Sequence, residues 1–479
     1  MLQNNPNHGA VLAVDLDGTL LRSDMLHESF WSAFSLDWRA PITAVAALSE
    51  GRAALKQRLA TSADVDVTTL PYDPDIIKYI QDWRAQGGRA ALVTASDREL
   101  AGRIADHLEV FDEVHGSDGK RNLKGSEKAK FLNETFGVAG YAYMGDAEAD
   151  VPVWQGARKA ITVNVPAALK KRVDDLGAEA EHLRTVTPSI GPYLRAMRPH
   201  QWLKNILVFL PMLAAHQLNG LTLLQSVLAF TVFSLVASSV YLLNDLLDLK
   251  ADRAHPRKCL RPFAAGSIPI AQGGAMFVGL LGLGVFLSLF LGPSFILVMA
   301  VYYLTTTAYS LNLKRRVVID ICVLAGLYTL RIVAGAAATG IGMSMWLLAF
   351  SIFFFFSLAT VKRQAELVDS AASGKLSASG RGYHVEDLPV IAMMGIASGY
   401  VSVLVMALYI SSPEVVILYS NPLALSGICC VLLYWLTRMV MLTHRGHMHD
   451  DPVVFAAKDR ISQICVLVMA AFAIGGALL

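Results

Sequence analysis

The chain has 479 residues, of which 54% are hydrophobic and only 17% are charged. Soluble proteins average about 25% charged residues, so this composition argues against a wholly soluble protein. Residues 1–195 carry 22 Lys and Arg against 27 Asp and Glu, whereas residues 196–479 carry 19 against 12. An acidic, charge-dense half followed by a basic, apolar half indicates a soluble domain fused to a membrane domain. Neither half has the recurring basic face of a nucleic-acid-binding protein.

The cysteines and the first residues limit the function further. All five cysteines follow residue 258 and none is spaced Cys-x-x-Cys, which argues against a disulfide scaffold or a zinc–thiolate site. The first residues lack the basic segment and the long apolar run of a signal peptide. We therefore expect the front half to lie in the cytosol.

Four short apolar runs alternate with helix-like stretches in the first 165 residues. The runs are VLAV (11–14), AALV (90–93), YAYM (141–144) and AITV (160–163). Buried strands that alternate with helices predict a parallel sheet covered by helices on both faces. Ligands of such sheets bind outside the carboxyl ends of the strands.

Reactive side chains follow these runs. Asp15 and Asp17 stand two residues apart after the first run. One of these carboxylates could bind a metal and attack phosphorus, while the other transfers a proton. Further along stand a hydroxyl, an ammonium group suited to neutralise a phosphate, and carboxylates suited to complete a Mg²⁺ site: Thr94, Lys124, Asp146 and Asp150.

This series, DxDGT, hhhT, Lys and GDxxxD, resembles the haloacid dehalogenase (HAD) phosphohydrolase superfamily over roughly residues 10–165. The resemblance implies an α/β Rossmann-like phosphatase in which Asp15 is the nucleophile and Asp17 the general acid/base. It also implies that Thr94 and Lys124 hold the phosphoryl group. The implied Mg²⁺ ligands are Asp15, Asp17, Asp146 and Asp150. Residues 24–70 read as helical and correspond to the small cap that selects the substrate in this superfamily.

The segment after the soluble half is charged and punctuated by Pro188 and by Gly191–Pro192. The sequence PYLRAMRPHQWLKN then suits an amphipathic segment at a membrane surface. We predict a phosphatase domain over 1–170, a linker with an interfacial helix over 171–197, and a membrane domain over 198–479.

Nine apolar stretches in the second half are long enough to span a bilayer. They lie near 203–219, 222–243, 271–290, 293–311, 317–339, 344–361, 389–410, 421–440 and 461–478. Lys and Arg occur in alternate connections and are absent from the others, which fits one orientation under the positive-inside rule. We expect a multi-pass protein of the cytoplasmic (inner) membrane, with its N-terminal domain in the cytosol and its C-terminus on the opposite side.

The connection after the second stretch begins NDLLDLKADRAHPRK. Asp245, Asp248 and Asp252 are three and four residues apart and share one helical face. With the Asn244 carbonyl they suit a Mg²⁺ platform for a diphosphate, and Lys258 and Arg261 follow closely enough to take outer phosphate oxygens. The membrane domain therefore has its own predicted metal site.

Other polar residues interrupt the apolar half. Arg331 lies well inside an apolar stretch, where a charge costs about 2.5–3.5 kcal/mol on insertion scales, so we expect it to face a polar cavity and an anion. Asp320 lies eleven residues earlier, on the same helical face. The predicted substrate-binding residues of this half are Lys204, Lys258, Arg261, Tyr309, Lys314, Asp320, Arg331, Lys362 and Lys458.

The motifs NDxxDxxxDxxHPxK (244–258) and YSxxLKR (309–315), with the nine apolar stretches, resemble the UbiA superfamily of intramembrane prenyltransferases over about 195–479. The usual second acidic motif, DxxxD, is halved, because Leu324 stands four residues after Asp320. The segments RPHQWLKN (198–205), IDICVLAGLYTLRIVAG (319–335) and MHDDPVVFAAKD (448–459) resemble the branch of decaprenyl-phosphate phosphoribosyltransferases.

The resemblance implies an all-α nine-helix bundle that uses phosphoribosyl pyrophosphate as donor and a polyprenyl phosphate in the lipid bilayer as acceptor. A Mg²⁺ ion held by Asn244 and the three aspartates would polarise the diphosphate leaving group. Asp245 and Asp248 would thus be catalytic. The product keeps a 5-phosphate, which the HAD domain would remove to give a polyprenyl-phosphate ribose for envelope glycan synthesis.

Two other interpretations stay open. The first is an aromatic prenyltransferase that uses a prenyl diphosphate and carries an unrelated or regulatory HAD domain. This interpretation predicts a complete second acidic motif, which the sequence lacks. The second is a passive lipid-binding or transport protein, which has no use for three aspartates on one face. The sequence does not decide the prenyl chain length, nor whether the protein forms a homo-oligomer.

Overall fold

A computed structural model describes residues 9–118, 121–374, 376–377, 381–448 and 451–478. Residues 449 and 450 of the MHDDPVVFAAKD segment lie outside these ranges. The strands are β1 (Val11–Val14), β2 (Arg89–Asp97), β3 (Glu113–Ser117), β4 (Tyr141–Gly145), β5 (Lys159–Val163) and β6 (Glu179–Leu183).

The helices of the N-terminal part are α1 (Met25–Leu36), α2 (Ala40–Ser49), α3 (Arg52–Ser62), α4 (Pro74–Ala85), α5 (Arg98–Leu108), α6 (Ser126–Phe136), α7 (Val151–Gly156), α8 (Ala167–Asp174) and α9 (Gly191–Met197). Those that follow are α10 (Leu210–Ala214), α11 (Gly220–Leu247), α12 (Leu249–Arg253), α13 (Ile270–Ser288), α14 (Pro293–Leu311), α15 (Ile319–Thr339), α16 (Met345–Ala372), α17 (Leu388–Ile410), α18 (Pro413–Leu418), α19 (Ser426–His444), α20 (Pro452–Lys458) and α21 (Arg460–Leu478).

The six strands form one parallel sheet in the order β3-β2-β1-β4-β5-β6. Strand β1 lies at its centre, and side chains of β1 alternate between two hydrophobic clusters. Leu12 and Val14 pack into one cluster, while Val11 and Ala13 pack into the other. Because both faces are covered, a central strand is apolar throughout, which is why its four-residue run was recognisable in the sequence. The predicted parallel α/β domain is confirmed.

The edge strands β3 and β6 have no apolar run in the sequence. Their sequences are EVHGS and EAEHL, and most of their residues are only half buried. An edge strand is covered less completely than a central one, so polar residues are tolerated there. Since β6 pairs with β5, the sheet continues beyond residue 170, where the sequence predicted that the domain ends.

Three helices, α1 to α3, occupy the segment between β1 and β2 that was predicted as a cap. Asp24 caps the first helix by accepting hydrogen bonds from the N–H groups of Leu26 and His27. Ala33, Ala44 and Leu59 join the three helices in a small cluster of their own. The cap segment is therefore a separate helical layer.

The contacts divide the chain into two compact units. The first, unit 1, comprises residues 1–197 with residues 241–277; the second, unit 2, comprises residues 198–240 with residues 278–479. The segment that carries the acidic motif 244–252 therefore packs with the α/β domain, and α11 and α13 each run from one unit into the other.

Within the described ranges, eight helices are long and apolar enough to cross a membrane: 220–247, 270–291, 293–311, 319–339, 345–372, 385–410, 422–444 and 460–478. They agree with eight of the nine predicted stretches. The other stretch, near 203–219, is a 3₁₀ helix over Pro199–Phe209 followed by the short α10. Lys204 and Asn205 are buried in this segment and bond to other elements, which accounts for its mixed polarity.

Helix α15 packs against α14, α16 and the 3₁₀ helix inside unit 2. Gly335 permits one of these approaches, because a Cβ atom there would lie 2.0 Å from the carbonyl oxygen of Val208. Such a contact is possible only for glycine. The core of this region comprises Val208, Phe233, Phe295, Tyr302, Leu327 and Ala334 among others.

Candidate functional sites

The carboxylates predicted for the phosphatase site meet at one edge of the sheet. Asp15 and Asp17 follow β1, and Asp146 follows β4, the strand that pairs with β1 in parallel. The loop between them is tight, since a Cβ atom at Gly18 would lie 2.1 Å from a carboxylate oxygen of Asp146. Gly18 has a φ of +75°, so both conformation and space require glycine here.

Asp15, Asp146 and Asp150 form a cluster whose ligand atoms all lie within 4.8 Å of one another. Burial raises the pKa of Asp146 well above its usual range, and the charges of Asp15 and Asp150 raise it further. Burial and Asp15 also raise the pKa of Asp150. Carboxylates that oppose one another's ionisation in this way are stabilised by a cation, and oxygen ligands of this kind suit Mg²⁺. The donor set therefore fits the implied metal.

Lys128 is the lysine that contacts this cluster, and the sequence analysis missed it. Its Nζ lies 2.8 Å from Asp15 and 3.9 Å from Asp150, and it donates a hydrogen bond to the Tyr143 hydroxyl. Lys128 is buried on the inner face of α6 beside Ala129. Lys128 lies on the face of α6 that also carries the buried apolar residues, and this position was the sequence signal that could have identified it.

Lys124, which was predicted for this position, is exposed in the wall of the adjoining cavity. It precedes the first residue of α6, Ser126, so it does not share the buried face of that helix. The structure thus assigns the contact with Asp15 to the lysine four residues later, and Lys124 keeps a position beside the cavity.

Asp17 lies outside the three-carboxylate cluster, so its predicted role as a side-chain metal ligand is not supported. One of its oxygens accepts a hydrogen bond from the Met25 N–H at 2.8 Å and the other from the Ser96 hydroxyl at 2.6 Å. Burial, followed by the charge of Asp24, raises the pKa of Asp17 to about 7. A carboxyl group with such a pKa can both take up and release a proton near neutrality.

The predicted hydroxyl at Thr94 is buried below the cavity, whereas Ser96 lines it. Thr94 Oγ accepts a hydrogen bond from the Ser96 N–H at 3.0 Å, where the register of β2 against β3 is shifted. The run AALVTAS contains two hydroxyls, and the structure shows which of them reaches the cavity.

A cavity of about 730 Å³ adjoins these residues. Its wall carries the cations Arg22, Lys56 and Lys124 beside the carboxylates of the site, so an anionic group could bind between the cations and a metal held by those carboxylates. Lys56 comes from the cap helix α3 and donates a hydrogen bond to the Ala95 carbonyl at 2.6 Å. Residues 266, 267 and 269–271, which lead into α13, also line the cavity. The cavity wall therefore includes residues from beyond the α/β domain.

The acidic motif at 244–252 has a different arrangement. Asp245 and Asp252 are both buried, and Arg261 donates to each, at 3.1 Å and 2.6 Å. The backbone hydrogen bonds from Asp248 N to Asn244 O and from Asp252 N to Asp248 O keep helical spacing across the junction of α11 and α12. The predicted common face is thus retained.

Arg261 lies between two carboxylates of this motif, where a metal ion would also bind. Among the described residues, the motif does not bring three ligand atoms as close together as the Asp15 cluster does. Its carbonyl and carboxylate oxygens still match the chemistry of a Mg²⁺ site. Lys258 is exposed beside it, on the short 3₁₀ turn Lys258–Leu260.

A cationic cluster lies in unit 2 around Asp451, a residue that the sequence analysis did not select. Lys204 and Lys362 both bond to its Oδ2, at 2.8 Å and 3.0 Å, and the Tyr328 hydroxyl donates to its Oδ1 at 3.1 Å. Asp451 also caps α20 by accepting from the Val453 N–H. The sequence Asp-Pro at a helix start predicts such a cap, but not the two lysines.

Arg331 extends this cluster. It donates to Asn205 at 2.9 Å and to the Tyr302 hydroxyl at 3.2 Å, both neutral groups. Its guanidinium lies 5.6 Å from the centre of the Tyr328 ring, the same ring that lies 5.6 Å from Lys204. The expectation of a polar environment is met by these side chains, and Arg331 lies beside the same tyrosine ring that contacts Lys204 and Asp451.

Asp320 belongs to a separate cluster, although it shares a helical face with Arg331. It is fully buried, lies 2.6 Å from Arg363, and accepts a hydrogen bond from the Tyr383 hydroxyl. Arg381 joins this cluster and also donates to the Tyr309 hydroxyl at 2.7 Å and to the Lys314 carbonyl at 3.4 Å.

The predicted substrate residues of the membrane half are therefore divided among different sites. Lys204, Arg331 and Lys362 come together in the cluster around Asp451. Tyr309, Lys314 and Asp320 are connected through Arg381 instead. Lys458 is exposed at the end of α20.

Comparison with known proteins decides the family. The model of the UbiA prenyltransferase family matches residues 206–475, more than half of the chain. The chain belongs to the UbiA prenyltransferase family. The model of haloacid dehalogenase-like hydrolases matches residues 12–155, so this UbiA-family protein carries an N-terminal HAD domain. Together with its eight apolar helices, the family makes it a multi-pass membrane protein.

Relatives resemble either the whole chain or its membrane half. The uncharacterized protein y4nM of Sinorhizobium fredii is 38% identical over 96% of this chain and 90% of its own length. The nodulation protein NoeC of Azorhizobium caulinodans is 36% identical over 58% of this chain and 91% of its own length. Decaprenyl-phosphate phosphoribosyltransferase of Mycobacterium tuberculosis is 42% identical over 37% of this chain and 61% of its own length.

Solved structures resemble each half at low sequence identity. A UbiA homolog from Archaeoglobus fulgidus, bound to DMAPP and Mg²⁺, is 16% identical over 60% of this chain and 100% of its own, with a TM-score of 0.46. The HAD family hydrolase t0658 of Salmonella enterica is 14% identical over 37% of this chain and 68% of its own, with a TM-score of 0.28.

Proposed function

We propose that the membrane half transfers phosphoribose from phosphoribosyl pyrophosphate to a polyprenyl phosphate, and that the HAD domain then removes the 5-phosphate. The observation that carries this proposal is the gathering of three cations, Lys204, Lys362 and Arg331, around Asp451 and the Tyr328 ring. Cations gathered in this way suit a phosphate-bearing ligand. The region shared with decaprenyl-phosphate phosphoribosyltransferases supports a phosphate-bearing substrate.

In the transfer reaction, Asn244, Asp245, Asp248 and Asp252 would hold Mg²⁺, which would neutralise the diphosphate as it leaves. Arg261 would exchange one of its carboxylate partners for a phosphate oxygen. As the bond from ribose C1 to the diphosphate breaks, an oxygen of the polyprenyl phosphate forms the new bond to C1. Lysines and arginines stabilise the charge that develops at both ends.

The pairing of Asp320 supports this reaction over an aromatic prenyltransferase. Asp320 is held by Arg363 and by the Tyr383 hydroxyl, so this carboxylate neutralises a protein cation. Asp320 and Arg363 are both fully buried, whereas the Arg261 side chain beside Asp245 is 30% exposed and can exchange its partners. The Asp320 carboxylate is therefore less available to a second metal than those of the first motif.

In the hydrolysis reaction, we assign attack on phosphorus to the Asp15 carboxylate and proton delivery to the alcohol leaving group to Asp17. Lys128 positions the Asp15 carboxylate through their 2.8 Å ion pair, which is largely buried. Asp15, Asp146 and Asp150 would hold a Mg²⁺ ion that draws charge from the phosphoryl oxygens. Water then hydrolyses the aspartyl-phosphate, and Asp17 takes up its proton again.

The order of the two reactions follows from the chemistry of the intermediate. Transfer produces a lipid-linked phosphoribose that still carries a phosphomonoester, the group that HAD phosphatases hydrolyse. Its removal leaves a polyprenyl-phosphate ribose, a furanose donor for an envelope glycan. One chain that carries both activities keeps this intermediate on the same membrane.

We propose that the protein lies in the cytoplasmic (inner) membrane, with the HAD domain in the cytosol and the C-terminus on the opposite side. The HAD domain and the segment 241–277 pack in one unit, which supports a location on one side. Residues 198–219 must then cross the bilayer before α11 returns. The 3₁₀ helix and α10 together reach about 30 Å, the thickness of the hydrocarbon core.

The proposal is tested with purified full-length protein, Mg²⁺, radiolabelled phosphoribosyl pyrophosphate and a polyprenyl phosphate, with the Asp15→Asn variant in parallel. We expect label in lipid from both proteins, and a more anionic, phosphate-bearing lipid from the variant. If no label enters lipid while a prenyl diphosphate is consumed with an aromatic acceptor, the proposed transfer reaction is wrong. If both proteins give the same labelled lipid, the proposed hydrolysis is wrong.

A further inference from the structure

Helix α2 of the cap presents its larger apolar side chains to the outside. Ala40, Ala44 and Ala47 are buried, whereas Ile42 and Val45 are 64% and 70% exposed. A helix at a water-facing surface has the opposite pattern, with its large apolar residues against the core. The sequence of α2, APITAVAALS, contains no charged residue. This surface is therefore poorly suited to water.

The turn before α2 continues the apolar surface. Leu36 and Trp38 are 64% and 65% exposed, and the Arg39 guanidinium lies 5.3 Å from the centre of the Trp38 ring. Tryptophan and arginine beside aliphatic residues are typical of protein segments at the level of lipid headgroups. Exposed apolar patches on an otherwise soluble domain mark interaction sites.

Two contacts within unit 1 hold the cap beside segments that lead into the bilayer. Glu28 of α1 forms a buried ion pair with Arg253, six residues after α11 ends. Trp31 of the same helix reaches α13, because a Cβ atom at Gly274 would lie 3.8 Å from its ring. Both α11 and α13 are long and apolar enough to cross a membrane. The cap is thus anchored where the chain enters the lipid.

We propose that α2 and the turn Leu36–Arg39 form a membrane-contact surface that lies in the headgroup region of the bilayer holding the same chain. The cap is anchored to bilayer-entering segments, and an uncharged face with an adjacent Trp–Arg pair is stable in that region but not in water. Phospholipid is therefore the expected occupant of this surface.

The surface also bears on the substrate of the hydrolase, a consequence that rests on the proposed function. Leu48, at the end of α2, lines the cavity next to Asp15, and so do residues 269–271 at the start of α13. The wall of this cavity is thus built partly from a lipid-contacting helix and partly from the start of a membrane span. Such a cavity admits a phosphomonoester whose lipid chain stays in the bilayer.

The surface is tested by photo-crosslinking of the full-length protein in nanodiscs of phosphatidylethanolamine and phosphatidylglycerol. A benzophenone amino acid replaces Val45 in one sample and Val138 in the control. Val138 is 74% exposed and precedes β4, at the opposite edge of the sheet from the cavity. Mass spectrometry should find several-fold more phospholipid adducts at position 45. Equal labelling at the two positions, or crosslinks from position 45 to a second copy of the chain, would overturn the proposal.

A charged variant, Ile42→Glu with Val45→Glu, tests the consequence for the substrate. Both side chains are exposed, so the fold is retained, and hydrolysis of the soluble substrate p-nitrophenyl phosphate should not change. Hydrolysis of the lipid-linked phosphoribose should fall several-fold. An undiminished rate on the lipid substrate contradicts this consequence. If the unaltered protein does not hydrolyse the lipid-linked phosphoribose either, the proposed hydrolysis is wrong. The membrane-contact surface is then tested by the crosslinks alone.

Discussion

Glu28 and Arg253 form a buried ion pair joined by two hydrogen bonds, at 2.6 Å and 3.0 Å. Ser23, which lines the phosphatase cavity, donates a third hydrogen bond to Glu28. Arg253 directly follows Asp252 of the acidic motif, whose carboxylate is bonded to Arg261. Polar contacts, together with the peptide bond between Asp252 and Arg253, therefore connect the two candidate sites of unit 1.

We predict that Arg253→Met strongly destabilises the cap, because it leaves the buried Glu28 carboxylate without its cationic partner, a change that costs about 3–5 kcal/mol. Chemical denaturation followed by the fluorescence of the cap tryptophans measures the loss. The double variant Glu28→Gln with Arg253→Met should recover part of it. Arg89→Met, which breaks an exposed pair with Glu113, is the control and should cost about 1 kcal/mol or less. Equal losses in the two single variants would contradict the importance of the buried pair.

Lys128→Met should abolish phosphatase activity, with a loss of about 10²–10³-fold as for other positioned electrostatic groups. Lys128 contacts Asp15 directly, whereas Lys124 lies exposed in the cavity wall. The matched change Lys124→Met should therefore cost far less. Release of phosphate from p-nitrophenyl phosphate measures both variants. A greater loss in Lys124→Met would restore the assignment made from the sequence.

Asp451→Asn should impair phosphoribosyl transfer by at least about tenfold, because it removes the carboxylate that bonds to both Lys204 and Lys362 and so releases both from their positions. Incorporation of labelled phosphoribose into lipid measures the change. Asp459→Asn is the control, since Asp459 follows the same short helix and pairs with Arg438 instead. Similar losses in the two variants would indicate a general disturbance of this region.

Asp146→Asn should raise the Mg²⁺ concentration needed for phosphate hydrolysis by about tenfold or more, because it removes one of three clustered ligands. Transfer of phosphoribose should keep its Mg²⁺ dependence, since the motif at 244–252 is unchanged. Titration of Mg²⁺ after treatment with a chelator separates the two requirements. A shift in the dependence of transfer would indicate that the two sites share one metal.

The central strands, the apolar helices and the carboxylates after β1 and β4 could all be predicted from the amino-acid sequence. Each of these features has a local cause: a strand buried on both faces is uniformly apolar, a membrane span needs a long apolar stretch, and parallel strands bring their carboxyl ends to one edge. The edge strands β3 and β6 were not predicted, because an edge strand is covered less completely than a central one and has no uniformly apolar run. The segment near 203–219 was predicted as one α-helix because apolar content does not distinguish a 3₁₀ helix from an α-helix.

Which charged groups meet depends on how distant segments pack in the folded chain. Lys128 rather than Lys124 reaches Asp15, Ser96 rather than Thr94 lines the cavity, and Asp451 joins Lys204 although 247 residues separate them. Spacing along the chain limits which residues share a face of one helix, but it does not specify which other element packs against that face. Ion pairs between distant segments depend on that packing, and so do the membrane-contact surface and the connection between the two sites.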